Sequence, residues 1–220
     1  MDKIFRNAAH RRPQSGVAPQ PAPTSSRSWR EALPVLTGAT CTLREPAVAD
    51  AAALLMALGP HDLRDLAPLS ATPTIAGVEA LIATVHEHRE AGTAACWAIV
   101  PRDAESPVGL VVVRALDHGF TMVGFSAVVA AEFRGSGLFQ EAARALLDGL
   151  FGSLGVHRVE VRVDVRNARA NGALRKLGAA QEGVLRHAEY RDGAYRDHVL
   201  WAMVAGDWTT HRDLEPPRVH

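Results

Sequence analysis

Cysteine is scarce in this sequence, and its spacing excludes two classes of small domain. The only cysteines among 220 residues are Cys41 and Cys96, which lie far apart and form no Cys-x-x-Cys pair. A secreted disulfide scaffold is rich in cysteine and a zinc ribbon needs closely paired cysteines, so neither class fits. Isolated thiols are typical of reduced cysteines in a cytoplasmic protein, and we expect that location.

The sequence also lacks an excess of charge of either sign and lacks a long hydrophobic run. Lys and Arg together number 24, as do Asp and Glu, so a formal net charge of zero gives no bulk attraction to nucleic acid. No apolar run is long enough for a membrane-spanning helix, and we expect no membrane partner. His86 and His88 do not have the i, i+4 spacing of a zinc-binding helix, so we expect no metal.

Hydrophobic residues make up 47% of the sequence, enough for one domain with a sizeable core. Residues 1–32 differ from the rest because they are basic, rich in proline and serine, and without apolar periodicity. We expect a disordered tail there, with a transit peptide or a partner-binding segment as alternatives. The folded domain is predicted at 33–208, followed by a polar tail at 209–220.

Strand and helix patterns follow one another along the chain, which predicts an α/β fold with a sheet of mixed direction. Seven strands are expected, at 35–46, 96–100, 108–115, 123–129, 157–163, 182–190 and 195–205. Four helices are expected, at 52–58, 75–91, 138–151 and 167–177. Prolines 60, 68 and 73 favour a loop at 61–74. The Asp192-Gly193 pair predicts a hairpin between the last two strands.

The most informative stretch runs from Val123 to Phe151 and is typical of a strand, a glycine-rich turn and an amphipathic helix. Gly135 and Gly137 allow the backbone to turn tightly before the helix. The start of such a helix presents free N–H groups and the positive end of the helix dipole, which suit a phosphate or pyrophosphate. A tight loop without a ligand explains the same glycines equally well, because short glycine motifs are weakly specific.

Three better-known motifs do not match this stretch. A nucleotide-triphosphate loop requires Gly-Lys-Ser/Thr, whereas Gly137 is followed by Leu138. A dinucleotide fingerprint requires a third glycine at the position of Gln140. The segment from Gly124 to Val128 lacks the final glycine of a serine nucleophile elbow.

Two segments together resemble the GNAT superfamily of N-acetyltransferases, and within it the RimJ/RimL branch. Arg134 to Gln140 resembles the family's Arg/Gln-x-x-Gly-x-Gly/Ala loop, with a departure at Phe139. Residues 165–179 resemble the family's helix that begins near an asparagine and ends in Lys-Leu-Gly. The resemblance covers residues 35–208 and implies a mostly antiparallel central sheet of about seven strands flanked by about four helices, with splayed central strands.

The resemblance implies that an acetyl group moves from acetyl-CoA, used as a co-substrate, directly to a primary amine. The acceptor would be a protein N-terminus or a small-molecule amine, and the enzyme a monomer or homodimer. The loop N–H groups would bind the pyrophosphate, and backbone groups of the central strand would bind the pantetheine arm and polarise the thioester. Asn167 is better explained by its residue type as a helix N-cap, and the resemblance adds a contact with the cofactor. The implied cofactor contacts are Ala127, Val128, Val129, Arg134, Gly135, Ser136, Gly137, Leu138, Phe139, Gln140, Asn167 and Asn171.

The proton-transfer groups are harder to predict. The family's usual tyrosine and serine positions are occupied here by Leu174 and Ala170, which cannot donate a proton, although Asn171 could hold a water. A second hypothesis is therefore an acyl-CoA-binding or regulatory module with weak catalysis, and a third is nucleic-acid binding by the basic tail. The candidate bases are Glu132, His187 and Tyr190, with Glu189, Tyr195 and His198 around the same hairpin.

Overall fold

One eight-stranded sheet organises the computed structural model, which describes residues 28–66 and 74–214. The strand order is β1-β2-β3-β4-β5-β6-β8-β7, and only the β5–β6 pair of this sheet is parallel. The strands are β1 (Leu36–Thr37), β2 (Cys41–Arg44), β3 (Ala94–Pro101), β4 (Gly109–Ala115), β5 (Met122–Val129), β6 (Arg158–Asp164), β7 (Ala180–Arg191) and β8 (Ala194–Val204). The helices are α1 (Ala51–Ala57), α2 (Pro60–Leu66), α3 (Ile75–Glu90), α4 (Leu138–Asp148), α5 (Ala168–Lys176) and α6 (Ala205–Leu214).

The predicted α/β architecture with a mostly antiparallel sheet is confirmed, with one strand more than expected. The segment 35–46 is a hairpin rather than a single strand, because the chain turns at Gly38, whose N–H donates to the Cys41 carbonyl at 2.8 Å. The loop expected at 61–74 was wrong in its first part, where α2 lies. Pro60 begins this helix instead of breaking it, since the first helical position needs no N–H partner.

Both ends of the predicted domain differ in detail from the structure. Residues 1–27 of the predicted tail lie outside the described residues, but 28–32 pack on the domain. The Trp29 ring centroid is 4.3 Å from that of Phe120, and Arg89 of α3 donates a hydrogen bond to the Arg30 carbonyl. At the other end, α6 continues through residue 209 to Leu214, and residues 215–220 lie outside the described residues.

The hydrophobic core lies where α3 and α4 pack on the sheet. All eight residues of β3 are buried, as expected for a strand in the middle of a sheet that is covered on both faces. Along α4, Leu138, Ala142 and Leu146 are buried at helical spacing. Burying one leucine contributes about 1.5–3 kcal/mol, so α4 is fixed on the sheet, and with it the loop at its start.

The two central strands separate halfway along their length. β5 and β6 pair only where Met122–Gly124 lies beside Arg158–Glu160. Beyond this point β5 continues to Val129 and β6 to Asp164 without pairing to each other, while β4 and β8 hold their outer edges. The expected splay of the central strands is thereby confirmed, and it leaves one edge of β5 open.

Candidate active site

The glycine-rich loop has the backbone geometry of an anion site. Gly135 has φ of 90° and Gly137 has φ of 92°, a left-handed conformation that favours glycine, and both face open space. Gly137 is the N-cap of the eleven-residue helix α4. Within the described part of the chain, the N–H groups of Gly135, Gly137 and Phe139 have no backbone acceptor. The loop therefore presents free donors at the positive end of a helix.

The polar side chains of this loop have structural partners. The Ser136 hydroxyl donates to the Phe133 carbonyl at 2.8 Å and accepts from the Leu138 N–H at 3.2 Å. The Gln140 Nε2 group donates to the Ala173 carbonyl at 2.9 Å, which ties α4 to α5. Any anion at this loop would therefore be bound by the backbone rather than by these side chains.

Arg134 forms an ion pair with an acidic residue, and this pair was not predicted from the sequence. Its Nη2 donates to both carboxylate oxygens of Asp62 on α2, at 2.7 and 2.6 Å, and its Nε donates to the Val129 carbonyl at 3.2 Å. The ion pair holds α2 against the end of β5 and partly neutralises the predicted cation. The missed helix α2 is the reason that this pair was not expected.

A cavity of about 410 Å³ opens where β5 and β6 separate. The lining residues are Leu66, Phe125, Ser126, Ala127, Val128, Phe139, Val161, Arg162, Val163, Asp164, Arg166, Asn167, Ala170, Leu174, Glu189, Arg191, Asp192, Arg196 and His198. The cavity thus extends from the start of α4, past the open edge of β5 and the first turns of α5, to the β7–β8 hairpin.

Among the predicted cofactor contacts, Ala127, Val128, Phe139 and Asn167 line the cavity. Asn167 is also the N-cap of α5, since its Oδ1 accepts from the Ala170 N–H at 3.0 Å. The buried side chains of Val129 and Leu138 belong to the core next to it.

Asn171 does not line the cavity and has a structural role. Its Nδ2 donates to the Asp164 and Asn167 carbonyls at 3.0 and 2.9 Å. Its Oδ1 accepts from the Trp201 Nε1 at 2.8 Å. Because the amide nitrogen and the amide oxygen both have hydrogen-bond partners, Asn171 fixes the turn between β6 and α5.

The three predicted catalytic residues lie outside the cavity lining. Glu132 is exposed in the turn after β5. His187 stacks on the exposed ring of Tyr195 with centroids 5.0 Å apart, and Tyr190 meets the same ring edge-on at 5.0 Å. His187, Tyr190 and Tyr195 thus form an exposed aromatic cluster on the β7–β8 hairpin.

His198 and Glu189, which were named around the same hairpin, do line the cavity. The His198 Nε2 lies 3.3 Å from Glu189 Oε2, and only 15% of the imidazole side chain is exposed. Arg191 holds the other carboxylate oxygen of Glu189 at 2.9 Å. An imidazole oriented by a carboxylate at the wall of a cleft can accept a proton from a bound amine.

The β7 irregularity explains why this pair was not singled out. The β7–β8 register shifts between Leu185 and Glu189, and His187 inside the bulge adopts a φ of 52°. A bulge changes which side chains face a given side of the sheet. Without the register, the sequence could not distinguish His198 from His187.

Asp164 supplies a fixed negative charge at the end of β6. Hydrogen bonds from the Arg166 side chain and N–H lower the pKa of Asp164 to about 2. This carboxylate is therefore ionised throughout the neutral range and is not a proton donor.

The chain matches the model of a known protein family. The family model described as an acetyltransferase (GNAT) domain matches residues 41–180, and the chain belongs to that family. It is 29% identical over 140 residues to the [ribosomal protein uS5]-alanine N-acetyltransferase of Escherichia coli (strain K12), covering 62% of this chain and 71% of that protein. It is 32% identical over 101 residues to the spermidine N(1)-acetyltransferase of the same organism, covering 46% and 54%.

Solved structures share the fold. RimJ of Mycobacterium smegmatis in complex with CoA-disulfide has a TM-score of 0.66 at 22% identity, covering 81% of this chain and 93% of that chain. RimL, the ribosomal L7/L12 alpha-N-protein acetyltransferase, in complex with coenzyme A has a TM-score of 0.69 at 18% identity, covering 78% and 98%.

Within residues 28–66 and 74–214, no helix is both long enough and apolar enough to cross a membrane. In the same ranges, no three or more His, Cys, Asp or Glu side chains are grouped so that they could hold a metal ion.

Proposed function

We propose that this protein transfers the acetyl group of acetyl-CoA to a primary amine, with both substrates bound at once. The observation that carries the proposal is the cavity between the separated β5 and β6 strands. It has free backbone donors near one end and the His198–Glu189 pair at the other. Such an arrangement accommodates an extended thioester between a phosphate site and a base.

Acetyl-CoA would be bound mainly by the backbone. Its pyrophosphate would accept hydrogen bonds from the loop between Gly135 and Gln140, and its pantetheine arm would run along the open edge of β5. Main-chain groups on that edge have no partner strand on β6 beyond Gly124. Backbone donors near Ala127 and Val128 would polarise the thioester carbonyl.

His198 would act as the base in the transfer. The acceptor ammonium loses one proton to the imidazole, and the free amine attacks the thioester carbon. The new C–N bond forms as the C–S bond breaks, and a second proton leaves the nitrogen. One proton ends on the CoA sulfur and the other in solvent, so that N-acetyl amine and CoA are the products.

The leaving thiolate has no protein acid beside it in this proposal. Ala170 and Leu174 both line the cavity, at the positions where the family resemblance implied serine and tyrosine. The thiolate would then take its proton from water, and turnover would be modest. This same observation favours the second candidate function, an acyl-CoA-binding module with weak catalysis.

The relatives and the free thiols support the proposed acceptor class and location. The named relatives act on the alanine of ribosomal protein uS5 and on spermidine, so the acceptor here would be a peptide N-terminus or a small amine. Free Cys41 and Cys96 support a cytoplasmic location. The protein would work as a monomer or homodimer.

Gly137→Glu tests the cofactor site, with Gly137→Gln as the matched control. Both variants carry the same backbone strain and similar bulk, but only glutamate places a negative charge among the phosphate-binding donors. We expect calorimetric titration to show acetyl-CoA binding to the wild type, a modest loss for Gly137→Gln, and a further loss of at least about tenfold, or about 1.4 kcal/mol, for Gly137→Glu. Equal affinities in all three proteins would remove the loop from the site.

A further inference from the structure

The hairpin end of the cavity is rich in arginine. Four arginines line it together with three carboxylates. Two of the arginines are neutralised locally, since Arg166 pairs with Asp164 at 2.9 Å and Arg191 pairs with Glu189 at 2.9 Å. The remaining two, Arg162 and Arg196, have no ion pair or hydrogen bond among the described residues.

Arg196 is the more informative of the two. Its Nε is buried and has no hydrogen-bond partner in the part of the chain that the structure describes. Its charge acts on Asp164, but both oxygens of that carboxylate already accept from Arg166. A buried guanidinium N–H without an acceptor is unfavourable, so it calls for an acceptor supplied by a ligand.

The strand register places these arginines on either side of the proposed base. Asp164 lies opposite His198 in the β6–β8 pairing. Arg162 is two residues before Asp164 and Arg196 is two residues before His198, so all four side chains belong to one face of the sheet. An anion bound by the two arginines would lie beside the imidazole.

We propose that Arg162 and Arg196 form an anion subsite for the acceptor, and that the acceptor is a primary amine that also carries a carboxylate. Guanidinium groups match carboxylates in shape and charge and can bind them through paired hydrogen bonds. A polyamine, which carries only positive charges, would be repelled by the same two groups. This inference rests on the proposed acetyl transfer and defines its acceptor.

The test uses pairs of amines that differ only in the carboxylate. One pair is an amino acid and its amide, and another is a peptide whose second residue is either acidic or the corresponding amide. Spermidine is tested beside them. The wild type, Arg162→Gln, Arg196→Gln and the double variant are compared in the full-length protein by CoA release and by calorimetry with the CoA-bound protein. The control is Arg169→Gln, because Arg169 is exposed on α5 and does not line the cavity.

We expect the wild type to prefer the acid of each pair by at least tenfold in kcat/KM. The double variant should lose this preference through a raised KM for the acid, with the amide unaffected and the affinity for CoA unchanged. Arg169→Gln should behave as the wild type. Circular dichroism checks that each variant is folded. If the variants that carry Arg196→Gln are not folded, the single Arg162→Gln variant is still expected to lose preference for the acid.

Other outcomes separate the possible failures. Equal use or equal binding of acid and amide, or a preference for spermidine, would overturn the anion subsite and leave the acetyl transfer standing. A loss of CoA affinity in the arginine variants would show that these groups serve the phosphates of CoA and would also overturn it. Failure of the wild type to bind acetyl-CoA at all would overturn the proposed function itself.

Discussion

At the residue scale, the behaviour of the two cysteines follows from their burial. Burial is the main cause that raises the pKa of Cys41 to about 11 and that of Cys96 to about 12. The reactive species is the thiolate, which is scarce at pH 8 at these pKa values, and the side chains are 0% and 3% exposed. We expect no reaction with a disulfide reagent in the folded protein and two equivalents after unfolding in guanidinium. Rapid labelling of the native protein would contradict this packing.

His198 is the residue on which proton transfer is predicted to depend. Replacing it with alanine removes the imidazole from the cavity wall, and we expect kcat/KM to fall by about 10²- to 10⁴-fold, the usual contribution of a general base. The control is His187→Ala, since that ring lies outside the cavity lining and stacks on Tyr195. CoA release under saturating acetyl-CoA measures both. A large loss for His187→Ala with a mild one for His198→Ala would reverse the assignment.

The contrast between the loop and the catalytic residues shows what sequence can predict at this scale. Gly135 and Gly137 could be predicted because a left-handed turn is a local property that selects glycine. Which of His187 and His198 lines the cavity could not be predicted, because it depends on a bulge that shifts the β7–β8 register. Local composition does not encode that register.

At the element scale, a partly buried ion pair joins β2 to the start of α1. Arg44 donates two hydrogen bonds to Asp50, at 2.7 and 2.8 Å, and the Ala47 N–H donates a third at 2.7 Å. Burial alone would raise the pKa of Asp50, but these hydrogen bonds outweigh it and the pKa is lowered. The folded-state pKa therefore lies below the unfolded value.

Asp50→Asn tests this linkage through its pH dependence. The stabilisation is fully present above the unfolded pKa of about 3.9 and is lost as the pH falls through the folded pKa. We expect urea denaturation to show a loss of about 1–3 kcal/mol at pH 7, which shrinks towards pH 3. The exposed Asp103→Asn is the control and should change stability by less than about 0.5 kcal/mol. A loss that is independent of pH would indicate that the carboxylate charge is not involved.

The two helices that were not predicted from the sequence, α2 and α6, are positioned by contacts with other elements and have no clear apolar periodicity of their own. α6 has little amphipathic character, yet Trp208 is buried, donates to Asp148 Oδ1 at 2.9 Å and lies against Phe151. α2 is fixed through Asp62 and Arg134. By contrast, α3, α4 and α5 carry their own apolar periodicity or cap and were predicted within a few residues.

At the scale of the whole molecule, the boundary of the folded domain can be tested by truncation. Removing residues 1–27, whose composition predicts a disordered tail, should leave the melting temperature unchanged, because Trp29 and its contact with Phe120 are kept. Removing 1–32 deletes the Trp29–Phe120 contact, and we expect a fall of about 4 °C. Differential scanning calorimetry measures both truncations. A lower melting temperature after the shorter truncation would show that residues before Ser28 also stabilise the domain.

The mostly antiparallel pairing and the splayed central strands were predicted from the family resemblance, and the strand order was not predicted, because pairing between distant segments leaves little trace in local sequence. The central separation has a mechanical consequence. In the part of the chain that the structure describes, strand pairing joins the two halves of the sheet through three residues of β5 and three of β6, whereas longer ladders stiffen each half. We therefore expect bending of the sheet to concentrate at Met122–Gly124, restrained by the Gln140–Ala173 hydrogen bond between α4 and α5. If the sheet bends there, the width of the cavity changes with the angle between its two halves, so a core substitution beneath Met122–Gly124 is expected to alter substrate fit without changing a lining residue.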